Sequence, residues 1–171
     1  MSAASGRSQA SSHRSPEGEV SPEHSVTDQS PQTVWIESIG LIAPGLPDWP
    51  TARSVLRGEQ AHTPAPSVLP APALLPSAER RRASREVKLA LAAGLEAVTH
   101  AGADASTLTT VFTASGADGH NCHALCEQLA SDDRQISPTR FHNSVHNAAA
   151  GYWGIATRSM APCKEIGRAH V

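Results

Sequence analysis

The sequence predicts an α/β layered fold preceded by a disordered tail. Three observations predict it. The first 32 residues are almost free of large apolar side chains. Two short β-branched runs, near residues 33–42 and 108–114, read as buried strands. Between and after them, apolar residues recur at helical spacing, and a strand–helix–helix–strand–helix–helix order is the pattern of layered α/β domains.

The tail comes first. Residues 1–32 are almost all Ser, Ala, Pro, Glu, Gln, His and Gly, with Val20 and Val26 as their aliphatic residues beyond alanine and Met1. Such a segment cannot bury enough apolar area to offset a backbone entropy cost of roughly 1–2 kcal/mol per residue. Order is expected from Thr33. The run Thr33-Val34-Trp35-Ile36-Glu37-Ser38-Ile39-Gly40-Leu41-Ile42 reads as a buried strand, ended by Ala43-Pro44-Gly45. A short helix is expected over Trp49–Arg57, with Pro50 in its first turn and Gly58 past its end. Residues 60–77 contain Pro64, Pro66, Pro70, Pro72 and Pro76 and read as an extended surface connection.

A long helix is expected from Ser77 or Ala78, with Val87, Ala90, Leu91, Gly94, Leu95 and Val98 in one stripe and Glu96 off it. The triplet Arg80-Arg81-Arg82 at its start reads as a solvated face. Leu108–Ala114 is the second strand and feeds the loop Ser115-Gly116-Ala117-Asp118-Gly119. A helix follows over His120–Ala130, with Cys122, Leu125, Cys126 and Leu129 on one face. Ser137-Pro138 then opens a last helix carrying Val145, Ala148, Ala149, Tyr152 and Ile155/Ala156. Gly151 and Gly154 in that helix suggest very close packing.

The composition excludes several classes. The 171 residues carry 14 basic and 16 acidic side chains, a net charge of −2, so no basic face points to nucleic acid or an anionic membrane surface. No run approaches the roughly 18 apolar residues of a membrane span, and residues 1–32 lack the apolar centre of a secretion signal. Three cysteines are too few for a disulfide scaffold. A cytoplasmic protein is expected.

Two patterns imitate chemical sites. Cys122, Cys126, His142 and His146 approximate the spacing of a structural zinc site, with His120 and His123 nearby. The spacer is longer than the finger spacing of about 12 residues. Both cysteines also share the apolar stripe of Leu125 and Leu129, which favours core cysteines with surface histidines. The alternative is a small zinc-binding interaction module using Cys122, Cys126, His142 and His146. The loop 115–119 follows a strand and opens a helix, as a phosphate cradle does, but lacks the glycine spacing and the Lys-Ser/Thr ending of a nucleotide loop. It reads as a tight turn. No serine lies in a G-x-S-x-G turn, and no nucleophile–base set is assigned.

Three segments together resemble the amino-terminal half of a β-ketoacyl synthase, in particular the branch found with aryl-polyene and related fatty-acid-type clusters. They are Ile36–Gly58, Leu75–Ser84 with its proline-then-arginine approach, and above all Ser137-Pro138-Thr139-Arg140-Phe141-His142-Asn143-Ser144-Val145-His146-Asn147-Ala148-Ala149-Ala150-Gly151-Tyr152-Trp153-Gly154-Ile155-Ala156. The resemblance covers residues 33–163. It implies an incomplete thiolase-like layered fold. It also implies condensation of acyl chains held on an acyl carrier protein, or a chain-length-factor-like role beside a second ketosynthase-type subunit, with no cofactor. In such enzymes a cysteine thiolate takes the acyl chain as a thioester, dividing one hard step into two. The resemblance places that nucleophile, and the downstream histidines and lysine, beyond Pro162. No catalytic, cofactor-binding or metal-binding residue of the family is therefore assigned, and Cys163 comes too early to be the nucleophile. The fragment itself is expected to be inactive. Residues 164–171 are expected to be non-native, because Glu165–Val171 corresponds to one translated frame of a common short-read sequencing adapter.

Overall fold

A computed structural model describes residues 33–116 and 118–166. The expected tail at 1–32 and the end of the 164–171 segment, from residue 167, lie outside the described residues. The chain divides between Val34 and Trp35 into two units, and every element below belongs to the second. In order these are α1 (Trp49–Leu56), α2 (Ser77–Arg82), α3 (Arg85–Ala101), β1 (Thr110–Thr113), α4 (Gly119–Ala130), α5 (Pro138–Ser144), α6 (Ala148–Thr157) and β2 (Cys163–Ile166).

β1 and β2 pair in parallel, Thr110 opposite Cys163 through Thr113 opposite Ile166. Helix α6 packs against both this pair and α3. The core lies in that contact: Leu75, Ala83, Val87, Leu91, Tyr152, Trp153 and Ala156, flanked by Leu95, Val98 and Phe112. The Phe112 and Trp153 rings meet at 6.0 Å and 59°, a tilted arrangement that suits the quadrupoles of both rings. Gly94 admits the indole: a Cβ there would lie 2.7 Å from Trp153 Cζ3.

Residues 33–42 do not form the expected strand. Trp35 and Ile36 are 85% and 83% exposed. β-branched composition favours a strand only where a neighbouring strand takes up the backbone groups, and this segment crosses helix α3 instead. Ser38 Oγ donates to the Ala97 carbonyl (2.6 Å), and Leu41 N–H donates to Glu96 Oε2 (2.8 Å). Gly40 passes so close to the Ala93 carbonyl that a Cβ has no room. Glu96, off the apolar stripe, also accepts the Trp49 N–H at the start of α1 (2.7 Å). Asp48 caps that helix by accepting the Thr51 N–H (2.8 Å), and Gly58 beyond its end has φ +73°. The proline-rich connection is without regular structure up to Pro72, as expected.

Both long helices expected from periodicity are broken. The first stops at Arg82, leaves the helical conformation at Ala83 (ψ 124°) and restarts with Ser84 as a new cap, its Oγ accepting the Val87 N–H. The last is split by an extended Val145 (ψ 139°) into α5 and α6. Ala83 and Val145 are apolar and keep the stripe in phase, so periodicity alone runs through both breaks. Ser137 caps α5, accepting the Arg140 N–H, with Pro138 in the first turn. Gly151 and Gly154 are not close-packing positions: a Cβ on Gly151 would meet nothing within 4 Å, and one on Gly154 only an ordinary contact at 3.7 Å. β1 is half-buried rather than fully buried, with Val111 58% exposed.

Candidate functional site

A cavity of about 270 Å³ opens between the start of α3, the carboxyl end of β1, the loop into α4, and the α5–α6 junction. Open α/β sheets place ligands outside the carboxyl ends of their strands, so this is the first place to seek a site. Its walls are mostly apolar, from Val87, Ala90, Phe112, Val145 and Ala148. Its polar groups are Glu86, Asp118, Asn143, His146 and Glu165.

Each polar group is positioned by local structure. Asp118 is a buried residue that caps α4, its Oδ1 accepting the Asn121 N–H (2.9 Å). Asn143 is buried on α5, and its Nδ2 donates to the carbonyls of Arg82 (2.8 Å) and Thr139 (3.0 Å). It thereby ties the end of α2 to α5. Burial pushes the Glu86 carboxyl above the usual carboxylate range, with the Asp118 charge adding to the effect. Burial likewise raises Glu165, partly offset by His146. Glu86 Oε2, Asn143 Oδ1 and Glu165 Oε2 are buried without a hydrogen-bond partner among the described residues.

The four candidate zinc ligands are not brought together. Cys126 is exposed and Cys122 half-buried. Helix α4 packs on α5 through a different line, with Asn121 and Leu125 buried and Asn121 Nδ2 donating to the Arg140 carbonyl. That rotation leaves Leu129 49% exposed and turns the expected apolar stripe of cysteines outward, correcting the reading of both as core residues. His142 stands edge-on to Tyr152 at 5.8 Å and 79°, while His146 lies at the cavity. Among the described residues no group of three or more His, Cys, Asp or Glu side chains could hold a metal ion.

The loop into α4 is no anion cradle either. The Asp118 carboxylate already occupies the helix N-terminus, where an anion would otherwise gain from the free N–H groups. In the arginine triplet, Arg80 Nη2 donates to the Ala73 and Leu75 carbonyls and Arg82 lies 3.3 Å from Glu79. The Arg80 bonds fasten the end of the proline-rich connection, while the Arg82–Glu79 pair is an i,i+3 contact within α2. Sequence reasoning missed Glu86, Asp118 and Asn143. The readable signals were Ser84 with Glu86 in a first turn, and Asp118 directly before a helix.

The fold agrees with the comparisons. The family described as "Beta-ketoacyl synthase, N-terminal domain" matches residues 53–170, more than half of the chain, and the chain belongs to that family. The chain is also similar to a solved structure of a ketosynthase (ApeO) in complex with its chain length factor (ApeC) from Xenorhabdus doucetiae. The TM-score is 0.58 at 20% identity, over 77% of this chain and 56% of that one. At that identity the likeness shows the fold, which is the ketosynthase, thiolase-like one. The chain spans 56% of the length of that relative. No curated protein matches.

Proposed function

We propose that the chain is the amino-terminal part of a β-ketoacyl synthase-like subunit of fatty-acid or aryl-polyene-type biosynthesis, working in the cytoplasm. Its substrates are acyl chains on an acyl carrier protein. Its partner is a second ketosynthase-type subunit, beside which it acts as condensing enzyme or chain-length-factor-like companion. The observation that carries this reading is the family match over residues 53–170. The structural neighbour, a ketosynthase paired with a chain length factor, supports the paired arrangement. The signature segment from Ser137 to Ala156 serves as scaffold, since Tyr152, Trp153 and Ala156 are core residues.

The chain alone is inactive in this reading. The acyl-accepting thiolate, where the complete protein has one, lies after the segment corresponding to Pro162, together with the histidines that assist condensation. Cys163 is exposed on β2, with Thr110 Oγ1 donating to its Sγ (3.0 Å). No base or oxyanion-stabilising set accompanies Cys163 among the described residues. In this reading residues 164–171 are not native, and the character of β2 supports that. Parallel strands are ordinarily apolar runs, whereas β2 carries Lys164 and a half-buried Glu165 whose Oε2 lacks a partner. Sequencing the genomic locus across the codon for Cys163 tests the reading. The expected result is a reading frame that continues past Cys163 with apolar or small residues in place of Lys164 and Glu165. A genomic sequence that encodes residues 164–171 as given, followed by a stop codon, would refute it.

A further inference from the structure

Glu86 and Asp118 both border the cavity and a shallower depression on its outer side, and Asp118 is near enough for its charge to act on the Glu86 carboxyl. Glu86 is in the first turn of α3, and Asp118 is the cap of α4. Neither makes an ion pair among the described residues. Glu86 Oε2 is buried with no partner, so it becomes a donor to the neighbouring carboxylate when it carries a proton. We propose that Glu86 and Asp118 form a proton-operated latch: one shared proton fastens the start of α4 to α3, and its loss drives the two carboxylates apart and loosens the mouth of the cavity.

Two like charges that act on each other in a half-buried site cannot both ionise without cost. Burial and the Asp118 charge accordingly hold the Glu86 proton to higher pH than usual. The other charged or titratable groups facing the pair are Arg85, His120 and Arg140 on the outer side, and His146 and Glu165 on the cavity side. The latch concerns the start of α4 and stands independently of the ketosynthase reading.

The test is amide hydrogen exchange of the full chain, corrected for intrinsic rates, from about pH 5 to about pH 8. In the wild type, exchange over residues 119–123 rises with pH, by about tenfold for each unit by which folding has raised the Glu86 pKa. Exchange over residues 87–97 of α3 stays level. Glu86→Gln gives slow, pH-independent exchange at 119–123, because the amide donates to Asp118 permanently. Asp118→Asn keeps a good cap and likewise removes the rise. The proposal is overturned if the wild type is flat, if Glu86→Gln follows the same rise, or if α3 opens in parallel with α4.

Discussion

Glu96 is expected to hold the amino-terminal arm to the helical core. Its two carboxylate oxygens accept the N–H groups of Leu41 and Trp49, which come from opposite sides of the Ala43–Leu46 turn. The Trp49 N–H is one of the donors that α1 cannot satisfy within itself. Hydrogen bonds to a charged acceptor contribute about 1.5–3 kcal/mol each. Because both sites are part-buried, water recovers some of this when the carboxylate is removed. Glu96→Ala should therefore cost about 2–4 kcal/mol. Glu96→Gln should recover about half of it, since the amide offers one acceptor and turns a donor towards the other N–H. Urea unfolding followed by tryptophan fluorescence measures the cost, and hydrogen exchange over residues 38–49 shows whether the arm detaches first. A cost below about 0.5 kcal/mol for Glu96→Ala, the ordinary range for a surface substitution, would refute the clamp.

Other outcomes follow from the same geometry. Gly94→Ala pushes a methyl group into the Trp153 ring and should destabilise by about 1–3 kcal/mol, read in the same denaturant assay. Glu165 has a folded pKa raised above its ordinary value of 4.5. Its favourable contribution is therefore complete below the unfolded value and is lost as pH rises through the folded one. Unfolding midpoints of Glu165→Gln should exceed the wild type at neutral pH and converge with it in acid. Because the cysteines and histidines of α4 and α5 do not form a ligand set, zinc or a chelator should leave the thermal midpoint unchanged; a midpoint that climbs with zinc concentration would contradict that geometry.

Local chemistry was the readable part of the sequence. Pro50 and Gly58 bounded α1, Ser137-Pro138 started α5, and the run around Val111 and Phe112 was a strand. Each rests on groups within a few residues of one another. What could not be read depends on distant partners. The 33–42 run has strand composition, but its partners are Glu96, which accepts the Leu41 N–H, and the Ala97 carbonyl, which accepts the Ser38 hydroxyl, both more than 50 positions away. The breaks at Ala83–Ser84 and Val145 fall on residues that preserve the hydrophobic period. Cys126 and Leu129 look buried until α4 is seen to rest on Asn121 and Leu125. Of the candidate site, His142 and His146 were visible as a pair, but their separation between the Tyr152 ring and the cavity depends on the Val145 break. The signature from Ser137 to Ala156 carried the family, because that resemblance is independent of whether one helix or two is drawn.

Whether this chain can itself take an acyl group is the most direct question. The full chain would be incubated with an acyl carrier protein charged with an acyl thioester, and its intact mass recorded. The account predicts no acyl adduct, since among the described residues the exposed Cys163 has neither a base nor an oxyanion site beside it. A stoichiometric thioester on Cys163, removed by hydroxylamine, would contradict it.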